Sequence, residues 1–270
     1  MSSSEHPKLR VGSVPYLNAK PLIRFLDVVG PPPLEVTMEV PSRLTELLRE
    51  RRLDVALLPS IEYLRGKNYR LLPDICIASD GIVESVRVYS KVKLENIKLL
   101  GLDKSSRTSA ALVRVLLKRR FGKLPKLSEI SPDSNLDELK EDAILLIGDP
   151  AMKFKAAHDV HVLDLGAEWK QQTGLPFVYA IWVAREGIPS KSLVDRLIRA
   201  RNDGLMHVAQ LAVEASNELG LDQDVCFNYL AHTIQYQLGD RQIRGLSLFQ
   251  QLAAEDGLCP GGIDIAVTTD

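Results

Sequence analysis

The chain has 270 residues, of which 45% are hydrophobic and 26% are charged, a composition typical of a globular protein with one large domain or two ordinary ones. Its formal net charge is -1, so no global field would attract nucleic acid or a membrane surface. The three cysteines are an odd number without C-x-x-C spacing, which indicates neither a disulfide framework nor a zinc site. We expect them to be free thiols in a reducing compartment.

The amino-terminal segment and the hydropathy of the chain bear on location. Residues 1–10 are polar and contain no apolar run of signal-peptide length. No stretch approaches the roughly 18 apolar residues that a membrane span requires. We therefore expect a cytoplasmic protein without a membrane partner.

The first part of the chain alternates strands and helices. Predicted strands begin near Leu9 and cover 34–40 and 54–59, and helical runs begin near Leu22 and Ser42. The run 54–59 is continuously apolar, as expected of a buried parallel strand. This β-α-β-α-β order with short connections predicts a doubly wound sheet.

A second α/β unit follows, and helices complete the chain. Predicted strands 75–78 and 84–89 precede this unit, which begins near residue 97. Its predicted strands are 97–102, 143–148, 161–165 and 176–184, and its predicted helices are 110–121 and 167–173. Residues 190–257 contain only amphipathic helices. We expect this helical segment to pack on the first unit.

The predicted fold class is therefore α/β, with two lobes around a central cleft and a helical C-terminal segment. Strands that cross between the lobes near residues 90 and 185 are candidate hinges. Residues 1–90 plus 186–270 would form lobe 1, which includes the C-terminal helices, and residues 91–185 would form lobe 2.

The stretch from Val11 to Leu22 is the first candidate for a functional site. Tyr16, Asn18 and Lys20 follow the first predicted strand, and ligands of open α/β sheets bind outside the carboxyl ends of the strands. These residues would supply an aromatic wall, an amide and a cation. In the alternative interpretation, Asn18 caps a helix and Lys20 is solvated.

The polar loop before the helix predicted at 110–121 is the second candidate. Residues 105–109 read Ser-Ser-Arg-Thr-Ser, and a helix N-terminus with such donors can bind a carboxylate or a phosphate. In the alternative interpretation, Ser105 or Ser106 only caps the helix. The G-x-x-x-x-G-K-[ST] pattern is absent from the sequence, so nucleotide binding is not favoured.

Further polar residues lie near the predicted crossings. Ser85 and Arg87 share one face of a strand, with Glu84 on the other face in regular geometry, although this face would equally suit a solvated edge strand. Asp149 follows a strand and either caps a helix or faces the cleft. The residues alone indicate an anion-binding cleft without metal-ligand spacing, and they do not decide between binding and catalysis.

Residues 13–22 resemble the N-terminal signature of the chorismate dehydratase family, which acts in the futalosine route to menaquinone. The resemblance continues in the segments 54–63, 79–81, 85–86, 105–109, 147–151 and 174–180 and at Trp169. It extends from about residue 9 to residue 185, and the motifs are specific when taken together. The resemblance implies the fold of type 2 periplasmic binding proteins, which agrees with the predicted cleft.

The resemblance also implies an activity. Members of this family remove water from chorismate to give 3-[(1-carboxyvinyl)oxy]benzoate, so the protein would be a hydro-lyase whose substrate carries two carboxylates. Loss of the ring C4 hydroxyl and the C3 proton makes the ring aromatic, which provides a large driving force. The resemblance implies that no metal or organic cofactor is required.

By the same resemblance, Asn18 would be the catalytic residue, and it would orient the leaving hydroxyl or the base because a neutral amide is a poor general base. The base would be Glu84, if a local bulge turns it inward, or the enolpyruvyl carboxylate of the substrate. The substrate-binding residues would be Tyr16, Ser85, Val86 through its backbone, Ser105, Ser106, Thr108, Ser109, Gly148 and Asp149.

Three alternatives come from other classes. A solute-binding protein of the same fold would perform no chemistry, and the lack of an export signal weighs against it. The sister enzyme of the pathway, which forms 1,4-dihydroxy-6-naphthoate, shares the fold, but residues 14–21 favour the dehydratase. The effector domain of a transcription regulator would need a helix-turn-helix segment.

Overall fold

The computed structural model describes residues 8–26, 33–66, 69–103, 106–131, 133–134, 136–156, 158–189, 191–263 and 265. The predicted site residue Ser105 lies outside the described residues. In chain order the elements are β1 (Leu9–Ser13), α1 (Lys20–Ile23), β2 (Leu34–Met38), α2 (Pro41–Arg49), β3 (Val55–Pro59), α3 (Ser60–Arg65), β4 (Tyr69–Ser79), β5 (Val86–Ser90), β6 (Leu99–Asp103), α4 (Thr108–Phe121), β7 (Lys126–Ile130), β8 (Ala143–Ile147), α5 (Gly148–Lys153), β9 (His161–Asp164), α6 (Leu165–Thr173), β10 (Phe177–Arg185), α7 (Lys191–Met206), α8 (Val208–Leu219), α9 (Gln223–Asn228) and α10 (Asp240–Glu255).

The strands form two five-stranded sheets, in the orders β2-β1-β3-β10-β4 and β7-β6-β8-β5-β9. In the first sheet β1 is parallel to β2 and β3, whereas β10 is antiparallel to β3 and β4. In the second sheet β6 is parallel to β7 and β8, whereas β5 is antiparallel to β8 and β9. We call the first sheet with α1–α3 the first lobe and the second sheet with α4–α6 the second lobe.

The chain crosses between the lobes at residues 80–85 and 174–176, because β5 already belongs to the second sheet and β10 to the first. The predicted boundaries at residues 90 and 185 were therefore wrong, since they assigned both crossing strands to the opposite lobes. Alternation identifies a strand, but the sheet that a strand joins depends on pairing with distant segments.

The C-terminal helices pack on the first lobe, as predicted: α7 contacts α1 and β4, and α10 contacts β10. The fit is close, because a Cβ atom at Gly204 of α7 would overlap the carbonyl oxygen of Pro21. Helix α10 also contacts α4 of the second lobe. None of the helices in the described ranges is long and apolar enough to cross a membrane.

A buried aromatic group connects the two lobes beside the second crossing. The Trp169 ring of α6 contacts Phe177 of β10 and Phe249 of α10 edge-on, with ring centroids 5.1 Å and 6.1 Å away. All three side chains are fully buried, and such ring pairs add about 0.5–1.5 kcal/mol beyond the apolar area that they bury. The crossing is thus anchored by packing on both sides.

The buried carboxylate of Asp54 joins β1 to β10 in the first sheet. Asp54 accepts hydrogen bonds from the backbone nitrogen of Arg10 at 3.0 Å and from its guanidinium Nη2 at 2.8 Å, and it also pairs with Arg185. Burial by itself would raise the pKa of the Asp54 carboxyl. The hydrogen bonds from Arg10 and Arg185 outweigh this effect and lower the pKa to about 2.

We expect Asp54→Asn to lower the free energy of unfolding by about 2 kcal/mol at neutral pH, because one pKa unit corresponds to about 1.4 kcal/mol. The Asp54 contribution is present above the ordinary carboxyl pKa of 3.8 and is lost as the pH falls through about 2. Urea denaturation from about pH 6 to about pH 2 should therefore show a smaller loss of stability in the variant than in the wild type. Exposed Asp195→Asn is the control, and equal losses in the wild type and Asp54→Asn would contradict the expectation.

Candidate active site

A cleft lies between the two lobes, where β1, β3 and β8 end. Its empty volume, which includes space open to solvent, is about 630 Å³. The predicted site residues that line it are Tyr16, Asn18, Ser85, Val86, Thr108, Ser109 and Gly148. The cleft therefore brings together segments from both lobes and from the first crossing.

Asn18 and Ser85 are joined through a tyrosine of the C-terminal segment. The Asn18 side-chain nitrogen Nδ2 donates to the Tyr229 hydroxyl at 3.2 Å, and that hydroxyl donates to Ser85 Oγ at 2.6 Å. The other amide atom of Asn18, Oδ1, is buried and has no hydrogen-bond partner among the residues that the structure describes. Tyr229 is not among the site residues predicted from the sequence, because a tyrosine in an amphipathic helical stretch carries no signal beyond packing.

The start of α4 contributes Thr108 and Ser109 to the cleft lining. Ser109 is buried and lines the cleft. Ser106 is not among the lining residues, and its buried Oγ has no partner within the described ranges. Thr108 instead accepts a hydrogen bond from the backbone nitrogen of Ile61 in the first lobe, at 3.2 Å. Since α4 is 14 residues long, its unpaired N–H groups and helix dipole favour an anion at this end.

Asp149 connects the lobes and is not among the residues that line the cleft. Its Oδ1 atom accepts a hydrogen bond at 3.0 Å from the backbone nitrogen of Leu17, in the loop that carries Asn18. Burial raises the pKa of the Asp149 carboxyl. The residue also does not cap α5, whose N-terminal end has no side-chain cap, so neither use that the sequence suggested for Asp149 is found.

Glu84 has a left-handed backbone with a φ of 63°, and its predicted inward turn required a local distortion of this kind. Glu84 is nevertheless not among the residues that line the cleft. The backbone nitrogens of Val83 and Glu84 donate to the Asp164 carboxylate at 3.0 Å and 2.8 Å. The same carboxylate caps α6 by accepting from the nitrogens of Gly166 and Ala167. Asp164 thereby holds the first crossing against α6 and compensates the strain at Glu84, about 1 kcal/mol for a non-glycine residue in this region.

The predicted aromatic wall, Tyr16, and the predicted cation, Lys20, both make contacts with other parts of the protein. The Tyr16 ring lies beside Gly148, whose φ is 62° and whose added Cβ would be 3.2 Å from the ring, so the aromatic wall packs on backbone of the second lobe. Lys20 forms an ion pair with Glu218 of α8, so the predicted cation supports the C-terminal helices. Among the described residues, no group of three His, Cys, Asp or Glu side chains is placed to hold a metal ion.

The family model described as menaquinone biosynthesis matches residues 9–255. The chain belongs to this family. The chorismate dehydratase of Thermus thermophilus is 33% identical over 263 residues, which cover 87% of this chain and 92% of that protein. The chorismate dehydratase of Campylobacter jejuni is 34% identical over 174 residues, which cover 63% of this chain and 64% of that protein.

Solved structures support the fold that the resemblance implied. Protein AF1704 from Archaeoglobus fulgidus has a TM-score of 0.75 and 18% identity, covering 95% of this chain and 100% of that one. The periplasmic aliphatic sulphonate binding protein SsuA from Escherichia coli has a TM-score of 0.68 and 15% identity, covering 96% of this chain and 91% of that one. The predicted two-lobed fold of periplasmic-binding-protein type is thus confirmed for this member of the family.

The hydrogen bond from Leu17 N to Asp149 predicts different changes in the free energy of unfolding for two substitutions at Asp149. Asp149→Asn keeps an acceptor for the Leu17 N–H and removes a charge that burial disfavours, so stability at neutral pH should stay equal or rise. Asp149→Ala leaves that N–H without its acceptor and should lower the free energy of unfolding by about 1–3 kcal/mol.

Urea denaturation of both variants measures these changes. Because the carboxyl pKa is raised in the fold, the wild type should also lose stability relative to Asp149→Asn as the pH rises through that pKa. Equal destabilisation by the two substitutions would contradict the role of this hydrogen bond.

Proposed function

We propose that the protein is a chorismate dehydratase, a hydro-lyase that removes water from chorismate to give 3-[(1-carboxyvinyl)oxy]benzoate. The observation that carries the proposal is the hydrogen-bonded connection of Asn18 with Ser85 in one cleft, beside a helix start that suits a carboxylate. The identity of 33% with the Thermus thermophilus dehydratase, over 87% of this chain, supports it.

The substrate carboxylates need donors, and the start of α4 supplies them. Ser109, which lines the cleft, would hold one carboxylate together with the first N–H groups of the helix. Ser106, whose buried Oγ has no partner among the described residues, and Ser105 would add further hydroxyls. Thr108 would act mainly through its bond to Ile61, which closes the first lobe over this end of the helix.

The opposite wall of the cleft would position the ring. The Ser85 hydroxyl, at the end of the first crossing, and the Val86 backbone, at the start of β5, would contact the substrate, and the Tyr16 ring with Gly148 would form a flat surface for the cyclohexadiene. Holding the ring in one orientation is the main task, because correct placement alone lowers a reaction barrier substantially.

The elimination breaks the bond between C4 and its hydroxyl and removes the proton from C3, which leaves an aromatic ring. Asn18 would orient the leaving hydroxyl, since a neutral amide is a poor base. Of the two bases considered, the enolpyruvyl carboxylate of the substrate is favoured, because Glu84 is not among the residues lining the cleft. The electrons of the broken C3–H bond remain in the ring, so the reaction balances without an organic cofactor.

We also propose a cytoplasmic location and chorismate as the partner. All three cysteines are free thiols, which suits a reducing compartment. The formal net charge of -1 favours neither nucleic acid nor a membrane surface as a further partner.

The direct test is to incubate the purified protein with chorismate, without added metal or cofactor, and to follow the products by mass spectrometry. We expect a species lighter than chorismate by one water, with the ultraviolet spectrum of a substituted benzoate. Saturable binding of unchanged chorismate would instead indicate a carrier of the same fold. No binding would direct the search to the substrate of the sister enzyme.

Asn18→Ala should lower kcat by about 100-fold or more and change KM by less than about threefold, because the amide would act on the reacting group and not on the carboxylates. Steady-state kinetics with chorismate measures both constants. Asn96→Ala, at an exposed asparagine of the second lobe, is the matched control. A raised KM with an unchanged kcat would make Asn18 a binding residue.

A further inference from the structure

The C-terminal segment reaches the cleft through one side chain. Tyr229 begins a π-helical turn, Tyr229–Thr233, which directly follows α9, and its side chain is fully buried. π-Helical turns are rare, and they occur frequently at functional sites. The turn is connected to β4 by hydrogen bonds from Ala78 N to Gln235 O at 2.9 Å and from Gln235 N to Ala78 O at 2.8 Å. These bonds fix the segment that directly follows the turn to the strand that leads into the first crossing.

The Tyr229 hydroxyl has one proton, and its neighbours determine where that proton lies. Because Asn18 Nδ2 donates to the phenolic oxygen at 3.2 Å, the tyrosine proton is directed to Ser85 Oγ at 2.6 Å. Ser85 then accepts from tyrosine and keeps its own proton for another acceptor. Asn18 keeps Oδ1 as an acceptor that lacks a partner within the described part of the chain.

Tyr229 thus distinguishes the two ends of the Asn18 amide, which are nearly identical in shape. Without the phenolic oxygen, a half-turn of the amide would exchange the donor and the acceptor. Burial raises the pKa of Tyr229, so the hydroxyl remains protonated at neutral pH and acts as a fixed dipole.

We infer that Tyr229 is a positioning residue that holds Asn18 Oδ1 and the Ser85 hydroxyl proton in the orientations used for dehydration, from a segment outside both sheets. This inference rests on the proposed function. It assigns the C-terminal helices a part in the site in addition to packing.

The test compares Tyr229→Phe with Tyr236→Phe. Tyr236 is equally buried in the same segment, but its hydroxyl has no partner among the described residues, so it controls for the loss of a buried phenol. Because phenylalanine retains the ring, the packing is kept in both variants. We expect Tyr229→Phe to lower kcat by about 10- to 100-fold with KM within about threefold, and Tyr236→Phe to leave both constants unchanged. Equal kinetics in the two variants would overturn the inference.

A double-mutant cycle separates positioning from a structural effect. In the Asn18→Ala background there is no amide to orient and only the Ser85 proton remains to be directed, so Tyr229→Phe should lower kcat by a clearly smaller factor than it does in the wild type. The same fold-loss in both backgrounds would show that Tyr229 acts independently of Asn18 and would overturn the inference.

Nuclear magnetic resonance supplies a readout that does not depend on activity. In ¹⁵N-labelled protein, the side-chain NH₂ protons of Asn18 should shift and exchange faster with water in Tyr229→Phe, and should be unchanged in Tyr236→Phe. If the Asn18 protons change in this way but the wild type leaves chorismate intact, the proposed function is overturned. The conclusion that Tyr229 orients the Asn18 amide is then still supported. Unchanged Asn18 protons in Tyr229→Phe would overturn the inference even if the wild type is active.

Discussion

Hydrogen bonds across the cleft are the constraint on which the site depends. Leu17 N donates to Asp149, Ile61 N donates to Thr108, and Tyr229 donates to Ser85. Each bond joins groups from different parts of the two-lobed fold, and two of them use backbone N–H groups that burial would otherwise leave unpaired. Together they hold the lobes in the arrangement in which the cleft walls face one another. The site residues can therefore act together only while these bonds are formed.

The crossings give this arrangement its rigidity. Asp164 ties the backbone of residues 83–84 to the start of α6, and the Trp169 ring packs beside the second crossing. The left-handed backbone at Glu84 directly precedes Ser85, so the strained residue and the hydroxyl that it positions are neighbours in the chain. Strain of this kind persists only where surrounding bonds determine the conformation, and it is common at functional sites. The half-buried carboxylate of Asp164 thus supports the orientation of the Ser85 hydroxyl in the cleft.

The fold alone does not distinguish a binding protein from an enzyme, since the same architecture occurs in a periplasmic sulphonate-binding protein. An anion-binding helix start would serve either one. The dehydratase proposal differs in requiring a second wall with an oriented amide and hydroxyl, which the connection through Tyr229 supplies. Because aromatisation provides the driving force, the reaction requires the protein to place and orient the substrate more than to supply strong acid–base groups. Among the described residues that line the cleft, Arg107 is the only Lys, Arg, His, Asp or Glu, which agrees with this demand.

The sequence by itself determined the α/β class, most strands and helices, the family, and the loop after the first strand that carries Asn18, because periodicity, helix starts and short motifs are local properties. The tertiary structure decided the lobes to which β5 and β10 belong, the use of Asp149 as a bond between lobes, and the pairing of Lys20 with Glu218. It also brought Tyr229 to the site. The bonds from Leu17 to Asp149 and from Asn18 to Tyr229 join residues 132 and 211 positions apart. Such contacts depend on how the whole chain is threaded through two sheets, and no local pattern of residues records that path.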